Sequence, residues 1–222
     1  MEDEVEFTDS IISIVGGAYL QPIADLVERL RALSPRQGVD DVHVGRFENG
    51  YAAAVCLLSV VTLESFLMRV CQIKQQGPGL SPVALFQSLY RSYQPDGVLA
   101  EVYIVRNVLA HNHVWQIDYS WGEDGTIERH RGAPLIGHFR KTNYEQHVDV
   151  DVQRTKRLRL HVVPSRVDRR DAALVLKTVW KALEVMDRDD HTACPVSPAF
   201  VRIGSSSIPF AELVQRFCDG IA

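Results

Sequence analysis

The chain is short of several things that usually announce a function. It has four cysteines in 222 residues, Cys56, Cys71, Cys194 and Cys218, and no two of them form a CxxC pair. That excludes a disulfide scaffold and a cysteine-based zinc module, and it sets a reduced, cytoplasmic location as the expectation. No uncharged apolar run reaches about 18 residues, so no membrane span is expected. The opening residues MEDEVEFTDS are acidic and lack the basic n-region of a signal peptide. There is no HExxH. Gly77-Pro78-Gly79 and Gly122-Glu123-Asp124-Gly125 lack the strand and helix that a phosphate-cradling loop needs. Ser205-Ser206-Ser207 has no GxSxG setting. His130, His138, His147 and His161 have no cysteine partners at zinc spacing. Repeats and low-complexity tracts are missing too.

A strong charge of one sign is also absent. The net charge is −4, which excludes a chain that is basic overall. The distribution is uneven, however. Residues 2–48 hold ten acidic and four basic side chains, and residues 129–170 hold eleven basic and four acidic ones. A local basic stretch of this kind either binds phosphates or is a solvated strand surface.

What is present is helical periodicity over most of the chain. The hydrophobic share of 46% is enough for a core, and the length suits one domain spanning 1–222. Residues 10–34 read as helix, with Gly16, Gly17 and Pro22 dividing it into shorter pieces. Residues 46–75 carry two apolar stripes, Tyr51, Val55, Leu58, Phe66, Ile73 and Leu57, Val60, Leu67, Cys71. A helix apolar on more than one face belongs in the centre of a core. Further helices are expected over 82–92, 98–112 and 170–187, with a short last one over 210–218. Between 114 and 163 the period changes. Trp115, Ile117, Tyr119, Trp121, then Val148, Val150, Val152, then Leu158, Leu160, Val162 alternate as half-buried strands do. The expected fold is therefore mainly α, with a small antiparallel β insertion at about 114–163 and a loop-and-helix tail at about 190–222.

One segment gathers polar chemistry on an apolar helix: Arg106-Asn107-Val108-Leu109-Ala110-His111-Asn112-His113. Arginine is always charged, and its planar fork suits a phosphate. Histidine exchanges a proton near neutral pH. Asparagine can donate to an oxygen or orient the histidine. Together they can cleave RNA without metal, the histidine assisting attack by the 2′-hydroxyl and the arginine and asparagine holding the developing charge. The other reading is an arginine in a salt bridge and a histidine capping the last carbonyls of a helix.

In these residues the chain resembles the HEPN (higher eukaryotes and prokaryotes nucleotide-binding) family. That signature is an arginine, a polar residue that is often asparagine, and a histidine after four to six intervening residues. Arg106, Asn107 and His111 match with four between, and His113 fits with six. The resemblance covers about 9–112 and 165–187 and implies a HEPN-like helical bundle. It implies a metal-independent endoribonuclease without cofactor, of the toxin or phage-defence kind. Arg106, Asn107 and His111 would be catalytic, with RNA as substrate. The implied partners are a second copy of the chain and an antitoxin or other partner protein. The alternative is a non-catalytic HEPN-like module that binds a nucleotide or a protein. One toxin subgroup has a modifiable tyrosine two places after the histidine; His113 stands there instead, which argues against that regulation.

Two points of geometry follow from the helix itself. At 100° per residue, Arg106 and His111 lie about 140° apart, whereas Asn107 and His111 share a face. Convergence would then require two motifs facing each other across a dimer. Glu64, on the stripe of Leu57, Val60, Leu67 and Cys71, either pairs with Arg106 or sits at the rim in water.

Overall fold

The computed structural model describes residues 13–34, 44–76, 79–91, 93, 97–111, 114–125, 127–136 and 141–220. Its centre is α2, Arg46–Lys74. From Tyr51 onward this helix has neither glycine nor proline, so nothing interrupts it for six turns. The hydroxyls of Ser59 and Thr62 donate to Val55 O and Leu58 O, so both are satisfied although buried. The helix stops where Gln75 turns left-handed, at φ 50° and ψ 40°, and its N–H returns to Cys71 O and Gln72 O. By length and composition α2 is apolar enough to cross a membrane, which the count of uncharged residues passes over. Half of that apolar window is buried by the rest of the fold.

The remaining helices gather round it. A 3-10 turn at Gly16–Tyr19 leads into α1, Leu20–Ala32. The turn lies so close to α2 that a Cβ on Gly16 would stand 3.0 Å from the Ser65 Cβ, and the Gly16 N–H donates to Ser65 Oγ. Then come α3, Pro82–Leu89, and α4, Val98–Ala110. Gly97, at φ 80°, makes the sharp entry into α4 that a side chain would strain. Helix α6, Arg169–Asp190, begins with a capping box. Asp168 accepts from Arg170 N and Asp171 N, and Asp171 accepts from Asp168 N. Helix α7, Phe210–Asp219, packs on α6 and α1 and places Phe210 against Trp180. One contiguous apolar core runs through α1, α2, α3, α4, α6 and α7.

The fold is mainly helical with small antiparallel strand pairs. Strands β1, Val114–Trp121, and β2, Ile127–Ile136, form the main hairpin inside the expected insertion. The rest of that insertion differs from expectation. Lys141–His147 is a helix, α5, and Val148–Asp149 (β3) and Arg154–Thr155 (β4) are only two residues each. The expected strand over 158–162 is reduced to one bridge between Arg154 and His161. Arg159 has φ 58° and Gln153 φ 54°, and such left-handed residues break the alternation that Leu158, Leu160 and Val162 spell out. A further hairpin, β5 Phe200–Ile203 with β6 Ser206–Pro209, stands where a loop was expected.

The loop after β4 is held by a residue that sequence reading passed over. Glu101 of α4 is fully buried, and its carboxylate accepts Arg157 N–H at 2.9 Å and Leu158 N–H at 2.8 Å. The backbone donors that a strand partner would have satisfied are satisfied by this side chain instead. Glu101→Ala should therefore lower stability by about 2–4 kcal/mol, since it leaves two interior donors unpaired. Urea unfolding checks this. A loss below about 0.5 kcal/mol, the range of an ordinary surface change, would mean that the loop is held by something else.

Candidate functional site

Glu101 and Arg106 point to different sides of α4, five residues and about 140° apart. The side that carries Arg106 meets α2. There Arg106 Nη2 donates to Glu64 Oε2 at 3.2 Å, and Arg106 Nη1 donates to Asn107 Oδ1 at 2.9 Å. The two charged side chains are 25% and 21% exposed, so the pair is at the rim and is nonetheless formed. Both readings of Glu64 are thus partly right. Five N–H groups belong to a guanidinium, and these contacts use two. The Nε–H and one hydrogen on each Nη stay available for a phosphate.

His111 is the C-cap of α4. Its backbone N–H donates to Asn107 O at 3.1 Å, and its φ of −95° and ψ of 9° leave the helical values. It is exposed, as is Asn107. The structure therefore joins Arg106, Asn107 and Glu64 in one network and sets His111 at the helix end beyond them. His113, the other candidate histidine, lies outside the described residues. Beside the network runs an incompletely covered apolar stripe of α2, formed by Leu57, Val61 and Met68 with Glu64 among them; Met68 is 56% exposed.

Four side chains of the basic stretch are tied into the fold. Arg154 Nη1 donates to Arg159 O, Lys156 Nζ donates to Glu145 O, and Arg159 pairs with Asp149 at 3.5 Å. Arg169 forms a two-pronged pair with Glu48, at 2.7 and 3.0 Å. Because the loop is anchored on Glu101, it meets α4 on the side away from Arg106. Arg157 and Arg159 lie in the segment that the alternation of Leu158, Leu160 and Val162 marks as strand, and no strand forms there.

A second polar cluster was not foreseen. His161 Nδ1 lies 2.8 Å from Asp171 Oδ2 and 4.0 Å from Asp168 Oδ2, with His161 and Asp171 buried. This donor set resembles a metal site, but its atoms already serve as a staple. Asp171 accepts His161 N, Asp168 N and the imidazole, and Asp168 caps α6. The sequence signal was the Asp168-x-x-Asp171 spacing of a capping box. No family model, curated protein or solved structure matches the chain. The HEPN resemblance accordingly rests on the motif residues and their helical setting.

Two measurements test these arrangements. A double-mutant cycle on Glu64→Ala and Arg106→Ala should give a coupling of up to about 1 kcal/mol, as for a pair near the surface; zero coupling would mean that the contact orients nothing. At the staple, burial first and the Asp171 charge second push the Asp168 carboxyl above its usual range. A folded value above the unfolded one means that this group's contribution is fully present below about pH 4 and is lost as pH rises through the folded value. An asparagine side chain in its place would keep the cap without titrating. The melting temperature of Asp168→Asn relative to wild type should therefore improve as pH rises from about 4 to 7. A constant difference over that range would contradict this.

Proposed function

We propose that the chain is a metal-independent endoribonuclease of the HEPN type, acting in toxin or phage-defence biology and working as a homodimer. The observation that carries this reading is the Glu64–Arg106–Asn107 network near the end of α4, with His111 exposed at the helix C-cap. A cation oriented from two sides and still holding free donors is what a phosphate needs. An exposed imidazole near it can move a proton. In the proposed reaction His111 takes the proton of the 2′-hydroxyl while its oxygen attacks phosphorus. The P–O5′ bond breaks, the leaving oxygen takes a proton from water, and the proton held by His111 returns to solvent. The products are a 2′,3′-cyclic phosphate and a 5′-hydroxyl. Arg106 faces the non-bridging oxygens where charge accumulates. The incompletely covered stripe of Leu57, Val61 and Met68 supports a two-fold contact that would bring a second motif to the same cleft.

One feature favours the alternative, a non-catalytic module that binds a nucleotide or a protein: Glu64 already neutralises Arg106. Cleavage of RNA in the presence of chelator decides between them. His111→Ala should lower the rate by roughly 10²–10⁴-fold, and Arg106→Ala by a similar factor. Arg106→Lys should restore only part, because a point charge cannot replace the fork. A DNA strand of the same sequence should be inert. If His113→Ala abolishes cleavage and His111→Ala does not, the longer spacing is the operative one. Full activity in both histidine variants would eliminate the acid–base role and favour the module.

A further inference from the structure

Tyr103 lies one turn before Arg106 on α4 and faces the same side of the helix. Its side chain is 7% exposed, and its hydroxyl is buried without a hydrogen-bond partner. Among the described residues only Arg69 Nε shares that condition. An interior hydroxyl left unpaired costs about 1–3 kcal/mol, and phenylalanine would fill the same space without that cost. Such an exception asks for a state of the molecule in which the group is paired.

The surroundings say which state. Burial first, then the carboxylate of Glu64, hold the Tyr103 phenol far above its usual range, while Arg106 acts in the opposite direction. The hydroxyl thus stays protonated, a donor standing within the field of the Glu64–Arg106 pair. Glu64 receives one hydrogen bond in that pair, at Oε2 and at the long end of the range. Oε1 accepts none among the described residues. A substrate phosphate that draws Arg106 away would strip Glu64 of that partner in a site that is four-fifths buried. The carboxylate would then compete to recapture the guanidinium.

We propose that Tyr103 is a positioning residue for Arg106, its hydroxyl donating to the Glu64 carboxylate once Arg106 has turned to a substrate phosphate. The inference rests on the ribonuclease reading for the identity of that phosphate, but not on cleavage itself. Tyr103 does not touch the substrate. It stabilises the arrangement in which Arg106 is free to do so, and the unpaired hydroxyl of the resting state is the cost of having that arrangement within reach.

The test is Tyr103→Phe in the full chain, with Glu64→Gln and the double variant beside it. The readouts are melting temperature, RNA cleavage, and binding of a non-cleavable 2′-O-methyl oligonucleotide. Tyr103→Phe should melt at or above the wild-type temperature, since it removes only an unpaired group. It should nonetheless lower oligonucleotide affinity and kcat/KM by about tenfold, the usual worth of a hydrogen bond to a charged group. In the Glu64→Gln background the same change should have no further effect on either, because the competing charge is gone. Equal loss in both backgrounds, or no loss in the first, overturns the proposal. If wild type binds the oligonucleotide but cleaves no RNA, the ribonuclease reading fails while the binding arm still decides on Tyr103. If wild type does neither, both fall together.

Discussion

Everything in this fold answers to one constraint: α2 is 29 residues long and apolar on more than one side, so no single neighbour can cover it. Helices α1, α3, α4 and α6 all pack on it. Each fully buried aliphatic or aromatic side chain on such a helix contributes roughly 1.5–3 kcal/mol, whereas an ion pair at the rim is worth up to about 1 kcal/mol. Packing therefore decides where α4 lies, and the Glu64–Arg106 pair forms because packing has brought the two side chains together. The pair orients a cation; it does not hold the bundle. The location of the candidate site is thus a consequence of how α2 is covered, and of which strip of it is left partly bare.

Three interior carboxylates obey a consistent rule. Glu101 takes two loop N–H groups, and Asp171 takes two N–H groups and an imidazole. Asp187 accepts Ser197 N at 2.7 Å, the Ser197 hydroxyl, and His191 Nδ1 at 2.5 Å. This last group contains serine, histidine and aspartate, but in the wrong order for a nucleophile. The carboxylate sits between the other two, whereas a catalytic histidine must bridge serine and carboxylate. Asp187 instead ties the end of α6 to the following loop. Each of these carboxylates fastens one segment to another, which lets short strands and irregular loops survive beside a helical core.

The helices were legible because their signal is a period repeated over many turns, and α2, α4 and α6 appear within a few residues of where periodicity puts them. The segment 148–162 was not legible. Its alternating valines and leucines have the period of a strand, but the N–H groups of Arg157 and Leu158 are taken by Glu101, more than fifty residues away. No local pattern reports such a partner. Glu101 did carry a sign, a lone carboxylate on the apolar side of α4. The same sign at Glu64 points to Arg106, a side chain of opposite charge. Of the candidate site, Arg106, Asn107 and their link to Glu64 could be reasoned from spacing and charge. Tyr103 could not, since a tyrosine among apolar residues reads as core until its hydroxyl is found unpaired.

The charge balance at Arg106 limits what one chain could do under the proposed reading. With Glu64 in place, the Arg106 pair is neutral, and a phosphate gaining charge at the transition state needs more than neutral dipoles around it. Two ways out exist. Arg106 can be released from Glu64, which requires another donor for the carboxylate, or a second Arg106 can arrive across a two-fold axis. They are complementary, because a dimer brings two carboxylates along with two guanidinium groups and leaves the balance per motif unchanged. Only release alters the sign. A dimer supplies position, setting His111 of one chain near Arg106 of the other where a single helix holds them about 140° apart. Under that reading release would supply the field, and the buried, unpaired Tyr103 hydroxyl would be the donor that lowers the energy of release when a phosphate arrives.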